Sequence, residues 1–275
     1  MTLRTVSVLG CGWLGLPLAE RLVQRGLTVR GSTTSPGKLD RLAEAGIVPH
    51  RIAVTESVEG EDLAAFFGAD VLVVTVPPSK GGASYPAVFR AIRSAAETHG
   101  TGWVVMMSST SVYPNLDRVV TEADAGARDG LPLRRAGAPI LEAERVLQAS
   151  EQFDATVLRL AGLYGGDRHP ARVLAGRTGI AGGDAPVNLV HRDDAVGAAL
   201  FVLERGVRGE AVNVCADEHP ARQHLYPAVA RALGLDPPTF EDGMGDGFKV
   251  VSNEKLRRLG FAFHRPDPME AAETA

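Results

Sequence analysis

The stretch Thr5-Val6-Ser7-Val8-Leu9-Gly10-Cys11-Gly12-Trp13-Leu14-Gly15 decides the fold of this chain. Thr5 to Leu9 is a short apolar strand. From Trp13 to Gln24 the residues Leu14, Leu18 and Leu22 recur at helical spacing, and Gly26 terminates that helix before Leu27 to Gly31 supplies a second strand. The three glycines at the joint do different work. Gly10 permits the tight turn, Gly12 removes a side chain where a pyrophosphate approaches, and Gly15 lets helix and strand pack closely. The helix start adds unpaired N–H groups and a dipole that favours phosphates. Strand, glycine turn, helix and strand together predict a Rossmann βαβ unit that holds a nicotinamide dinucleotide on Gly10, Cys11, Gly12, Trp13, Leu14 and Gly15. The competing reading is a chance glycine turn in a flavodoxin-like or other parallel sheet.

The end of the second strand selects between the two nicotinamide cofactors, because an acid there accepts hydrogen bonds from the ribose hydroxyls. It reads Arg30-Gly31-Ser32-Thr33-Thr34-Ser35 and holds no acid. Ser32, Thr33, Thr34 and Lys38 suit a 2′-phosphate, so NADP(H) is expected over NAD(H). The alternative has Arg30 pointing away to solvent. Cys11 at a helix start is either a reactive thiol with a depressed pKa or a small residue filling the motif.

Further along, strand-like and helix-like segments alternate as in a parallel sheet covered on both faces. A helix is expected over 38–45, a strand over 47–52, a helix over 62–67 and a strand from Val71 to Val76, stopped by Pro77 and Pro78. Val76, Pro77 and Pro78 are expected to pass beside the cofactor by backbone contact. A helix over 86–99 and a buried strand over 103–107 follow, which puts Ser108 to Ser111 at a strand's carboxyl end, where open α/β sheets place ligands. Residues 115–136 show no periodicity and predict a loop, with a lid as one option. A helix over 139–149, a strand over 155–160, a helix over 194–203, a strand over 211–214 and a helix over 223–233 complete the pattern. The expected organisation is a doubly wound Rossmann domain over 1–162 and a smaller α/β substrate-binding part over 163–275, with segments near 187–215 returning to the Rossmann sheet.

Composition narrows the function. The 275 residues carry 45% hydrophobic and 23% charged residues and a formal net charge of -4, which offers no basic surface for nucleic acid or an anionic membrane. The apolar runs are strand-sized, far below the roughly 20 residues of a membrane helix. The chain passes from Arg4 straight into a strand without the charged, apolar and small-residue series of a secretory signal, so a cytoplasmic location is expected. Cys11 and Cys215 are too few for a disulfide framework or a metal site, and both are expected to be reduced.

Two family resemblances compete over the first half. Gly10 to Ala19 followed by Thr33-Thr34-Ser35-Pro36-Gly37-Lys38 also looks like a β-hydroxyacid dehydrogenase, which would require an all-helical second half. The second half points elsewhere. Arg159-Leu160-Ala161-Gly162-Leu163-Tyr164-Gly165, Asn188-Leu189-Val190-His191-Arg192-Asp193-Asp194 and the strand from Val105 to Ser108 leading to Ser109-Thr110-Ser111-Val112-Tyr113 resemble extended short-chain dehydrogenases/reductases. Asn213-Val214 and Leu256-Arg257-Arg258-Leu259-Gly260-Phe261 resemble that family's later motifs. The chain thus resembles the NAD-dependent epimerase/dehydratase family, within it an atypical, YeeZ-like subgroup.

The resemblance also has a gap. Such enzymes carry Tyr-x-x-x-Lys on the helix after the serine strand, the tyrosine acting as acid/base and the lysine lowering its pKa. Here Ala136 and Ile140 stand at those places, so hydride transfer by the usual dyad is not expected. The resemblance implies that Ser109 hydrogen-bonds a substrate oxygen and that Ser108 lies against the cofactor, with Thr110 and Ser111 as further substrate contacts. The bland alternative is four hydroxyls that merely end a strand. Tyr113, then Tyr164, are the candidate replacement proton donors, against packing of the rings with locally bonded hydroxyls. His191 could titrate as an acid or be structural, with Asp193 or Asp194 a helix cap. Arg168 and His169 could meet a phosphate or carboxylate, or be solvated loop charges.

The expected function is an NAD(P)-dependent oxidoreductase or epimerase/dehydratase-like enzyme on a small polar, sugar-like compound. The rival from another class is an inactive NAD(P)-binding redox sensor. A small-molecule substrate is the expected partner, with a homodimer if the family's helix pairing holds through the helix around Leu141 to Arg145.

Overall fold

The computed structural model describes residues 3–78, 84–126, 133 and 137–272. Chain order is β1 (Thr5–Leu9), α1 (Gly15–Gln24), β2 (Thr28–Thr33), α2 (Leu39–Glu44), β3 (Val48–Val54), β4 (Val58–Gly60), α3 (Leu63–Phe67), β5 (Val71–Val74), α4 (Tyr85–His99) and β6 (Trp103–Ser109). It continues through β7 (Val119–Val120), α5 (Gly137–Gln148), β8 (Asp154–Leu160), β9 (Gly162–Tyr164), α6 (Ala171–Leu174) and β10 (Leu189–His191). The last elements are α7 (Arg192–Arg205), β11 (Ala211–Val214), α8 (Arg222–Ala232), β12 (Val250–Val251) and α9 (Glu254–Arg258).

The local signals explain these elements. Helix α1 buries Leu16, Leu18, Ala19 and Leu22 as one stripe, each fully buried leucine being worth about 2 kcal/mol. Helix α4 starts where the Ser84 side chain accepts from the Ala87 N–H, carries Pro86 in its first turn, and stops at Gly100 with φ +78°. All four residues of β5 are buried, as a strand covered on both faces requires.

The large sheet has the order β11-β8-β6-β5-β1-β2-β3-β4. β1 pairs in parallel with β2 and β5, β2 with β3, and β5 with β6, while the short β4 is antiparallel to β3. The chain winds outward from β1 to β3 and then crosses back to β5. That reversal makes the carboxyl ends of β1 and β5 a topological switch point, the place where doubly wound sheets take ligands. The fold is therefore an α/β Rossmann-type fold with a mostly parallel central sheet.

The chain divides into two compact units. One comprises Met1–Ser108, Ala138–Leu158 and Ala199–Ala211, the other Ser109–Gly137, Arg159–Ala198 and Val212–Ala275; the boundary expected from the sequence lay near residue 162. Of the stretch near 187–215, β11 lies in the large sheet and β10 pairs with β9. The second unit has its own apolar cluster around Tyr164, Leu189, Leu225, Tyr226 and Val229, with α8 packed beside α6.

Several boundaries differ from expectation. β5 ends at Val74 rather than Val76; Thr75 follows it with its N–H on the Leu9 carbonyl and its hydroxyl on the carbonyls of Leu9 and Gly10. β6 extends to Ser109. The expected loop 115–136 contains β7, paired with β12 through Val119↔Val250 and Val120↔Val251, and a capping box between Thr121 and Asp124; much of the suggested lid, 127–132 and 134–136, lies outside the described residues. The helical second half required by the β-hydroxyacid dehydrogenase alternative is not found, since β9 to β12 are interspersed with helices no longer than the 14 residues of α7. Among the described residues no helix is long and apolar enough to cross a membrane.

Candidate functional site

In the first unit the turn after β1 is fixed from three sides. Gly10 has φ +99°, a region an L side chain rarely adopts. Its N–H donates to Ser32 Oγ at 2.9 Å, the Cys11 N–H donates to the Ser32 carbonyl at 2.7 Å, and Thr75 Oγ1 donates to the Gly10 carbonyl at 2.6 Å. A Cβ on Gly15 would sit 2.3 Å from the Gly10 carbonyl oxygen, so Gly15 is required for helix and strand to meet. A Cβ on Gly12 would meet nothing within 4 Å. The space over Gly12 is therefore not needed by the protein's own packing, and no side chain caps the start of α1. An open glycine at an uncapped helix start fits the pyrophosphate of a dinucleotide.

Cys11 is structural. Its side chain is buried against β2, where a Cβ on Gly31 would lie 2.7 Å from Cys11 Sγ, and burial pushes the thiol up to about 12. The reactive-thiol option is thereby corrected. Trp13 and Leu14 lead into α1. At the end of β2 the expected 2′-phosphate group separates into two classes. Ser32 is 2% exposed and its hydroxyl accepts from Gly10, so it holds the glycine turn. Thr33 is also buried, its hydroxyl accepting from the Ser35 N–H. Thr34 and Lys38 are exposed.

Val76 is half-buried and Pro77 and Pro78 are exposed directly after β5. The Tyr85 hydroxyl donates to the Val76 carbonyl at 2.9 Å, an anchor the sequence did not signal. At the end of β6 the buried Ser108 hydroxyl donates to Glu144 at 2.5 Å. Glu144 has no exposure and lies one helical turn beyond Ile140, itself 5% exposed. Ser108 thus serves a carboxyl inside the unit. Ala136 lies outside the described residues.

In the second unit Ser109, Thr110 and Ser111 line a cavity of about 480 Å³ together with Asn188, Arg222 and Lys249. Ser109 Oγ accepts from the Ser111 N–H at 3.2 Å, and Ser111 Oγ is buried with no hydrogen-bond partner. Lys249 Nζ donates to the Tyr113 carbonyl at 2.5 Å.

The Tyr113 side chain lies elsewhere. Its ring is fully buried, and its hydroxyl donates to Asn213 Oδ1 at 2.5 Å and accepts from Arg159 Nη1 at 3.0 Å. Arg159 also donates to the Glu122 carbonyl, and the Asn213 N–H donates to Glu122 Oε1. This network corrects the expectation of Tyr113 as the replacement proton donor in favour of the packed ring with a locally bonded hydroxyl. Tyr164, Arg168 and His191 line a different pocket from Ser109 to Ser111, of about 290 Å³. Burial pushes the Tyr164 hydroxyl above its ordinary range and pulls His191 below its own. Asp194 is fully buried and accepts the backbone N–H groups of His264 and Arg265, a tether for the C-terminal segment rather than a simple cap. Among the described residues no cluster of His, Cys, Asp and Glu could hold a metal.

A family model described as NAD(P)H-binding matches residues 10–196. The chain is 34% identical over 274 residues to Protein YeeZ of Escherichia coli strain K12, covering 97% of this chain and 98% of that protein. Among solved structures it is similar to MoeE5 in complex with UDP-glucose and NAD, with a TM-score of 0.76 at 21% identity over 98% of this chain and 96% of that one. It is also similar to a short-chain dehydrogenase/reductase superfamily protein from Agrobacterium tumefaciens with bound NAD, with a TM-score of 0.75 at 22% identity over 98% and 96%. With its glycine turn inside the matched range, the chain belongs to the NAD(P)H-binding family, is a full-length relative of Protein YeeZ, and has the fold of short-chain dehydrogenases/reductases.

Proposed function

We propose that the protein is an NAD(P)H-dependent oxidoreductase or epimerase-like enzyme that takes a small polyhydroxylated carbonyl or alcohol substrate, with NADP(H) as its preferred cofactor. The observation that carries the reading is the unpartnered, buried Ser111 hydroxyl beside Ser109 in a polar cavity, because a buried donor of this kind is satisfied when a substrate oxygen arrives. A nicotinamide dinucleotide held at Gly12 and the uncapped start of α1 would supply or accept a hydride there. Ser109 and Ser111 hold and polarise the substrate oxygen, and Lys249, an ammonium on the cavity wall, delivers the proton in place of the missing dyad. Arg222, whose guanidinium lies 5.2 Å from the Phe240 ring centroid and donates to the Ala181 carbonyl, presents positive charge to an acidic or phosphorylated substituent. The UDP-glucose described with MoeE5 supports a sugar-like substrate. Exposed Thr34 and Lys38, and the absence of an acid at the end of β2, support NADP(H).

The test is NADPH oxidation against a panel of keto- and aldehydo-sugars and their nucleotide derivatives. Substrate-dependent turnover that falls about a hundredfold in Ser111→Ala, as expected for loss of an oxyanion donor, supports the proposal. The sensor reading draws on Ile140, where the resemblance places a lysine. Tight cofactor binding with no turnover across the panel would favour it.

A further inference from the structure

Buried donors without acceptors mark a second pocket in the second unit, distinct from the cavity around Ser111. Tyr164, the last residue of β9, is 3% exposed, yet its hydroxyl has no hydrogen-bond partner. The rings of His169 and His191 stand edge-on to it, with centroids at 5.4 Å and 5.1 Å. Backbone contacts fix the tautomers. His169 Nδ1 accepts from the Ala171 N–H at 3.1 Å, and burial pushes that imidazole down to about 4, so it is neutral with its hydrogen on Nε2. His169 Nε2 is buried and has no partner. His191 Nδ1 likewise accepts from the Asp193 N–H at 3.2 Å, which turns its own Nε2 into a donor.

The backbone is shaped around these rings. Gly165, at φ +124°, passes so close that a Cβ there would lie 2.5 Å from His191 Nε2. The resulting pocket of about 290 Å³ is completed by Arg168 and Arg265. The acids that act on Tyr164 have donors of their own: both Asp194 carboxylate oxygens accept backbone N–H groups, Asp267 Oδ1 accepts from the Met269 N–H at 2.8 Å, and Glu270 lies 3.7 Å from Arg265. The unfilled valences are thus donor valences, and a buried donor left unsatisfied is costly. We propose that this pocket binds a small oxyanion, a carboxylate or phosphate group, held by the Tyr164 hydroxyl and His169 Nε2, with Arg168 on the pocket wall. The proposal does not depend on the reaction assigned to the other cavity.

Isothermal titration of the full chain with inorganic phosphate and, separately, with malonate tests it. One saturable site is expected for at least one anion, and the anion that binds identifies the headgroup type. Tyr164→Phe and His169→Asn should each weaken binding at least about tenfold, the loss of one charge-assisted hydrogen bond. Tyr164→Phe keeps the ring packing and removes a hydroxyl that has no partner, so its melting temperature should equal or exceed that of the parent. Arg25→Ala, which breaks an exposed ion pair with Glu204 away from both cavities, should bind as the parent does. The proposal is overturned by no saturable binding of either anion, by binding that survives both pocket substitutions, or by loss in Arg25→Ala.

Discussion

Thr75 Oγ1 donates to the carbonyl oxygen of Gly10 at 2.6 Å, which ties the end of β5 to the turn that closes β1. The two strands flank the switch point of the sheet, so this bond sets the shape of the cofactor turn from the side opposite Ser32. Thr75→Val keeps the side-chain shape and removes the bond. A stability loss of about 1 kcal/mol is expected, together with weaker NADPH binding, measured by urea unfolding and nucleotide titration. Unchanged affinity would show that Ser32 alone holds the turn.

Gly12 and Gly15 should separate cofactor binding from folding. Gly12→Ala places its methyl group in open space, so it should melt with the parent and lose nucleotide affinity by at least about tenfold. Gly15→Ala drives a methyl group into the Gly10 carbonyl and should destabilise the fold itself, by about 2 kcal/mol or more. The reverse pattern would mean that the pyrophosphate does not lie over Gly12.

Cys11 should be inert in the native state. With its thiol pushed up to about 12 by burial, the thiolate fraction at about pH 8 is on the order of one in ten thousand. Cys215 is also buried and free. Iodoacetamide should therefore modify neither until denaturant is added, as mass spectrometry would read. Rapid alkylation of Cys11 in native protein would contradict the packing against β2.

Asp124 should dominate one part of the acid response. Arg118 Nη2 donates to its Oδ1 at 2.9 Å and the Thr121 N–H to its Oδ2 at 2.8 Å, which together bring its carboxyl down to about 2. A folded-state value below the unfolded one of about 3.9 gives stability that is complete above about pH 5 and lost as pH falls through 4 toward 2. Asp124→Asn should cost about 1 kcal/mol at about pH 7, because solvent screens the half-exposed Arg118, with the gap to the parent closing near pH 2. A gap of equal size at both ends of that range would rule out the charge as its origin.

The fold was legible where a physical rule acts locally. Period-3.6 leucines, glycine punctuation and strand-sized apolar runs located α1, β5, β6 and β11 to within a few residues, because burial on both faces of a parallel sheet writes itself into the sequence. β7 and β12 were not legible, since each is two residues long and exists through a partner about 130 positions away. The glycine turn was readable, whereas Thr75 and Tyr85 were not, because their carbonyl partners are set by tertiary contact.

The motif residues Tyr113, Arg159 and Asn213 carry a different lesson. All three meet in one buried network with Glu122, so the pattern that revealed the family marks a structural bracket, while the polar cavity draws on Ser109, Ser111 and the unflagged Lys249 and Arg222. Ser108 and Glu144 show the same effect. A serine at a strand end read as a cofactor contact, and only the packing of α5 showed the carboxyl it serves.

Fluorescence titration of the purified chain with NADPH and, separately, with NADH tests the cofactor assignment most directly. Saturable micromolar binding is expected, with NADPH favoured at least about tenfold, roughly 1.4 kcal/mol, and with both affinities lost in Gly12→Ala. Absence of saturable binding by either nucleotide, or binding indifferent to Gly12→Ala, would contradict the assignment of the turn after β1 as the cofactor site.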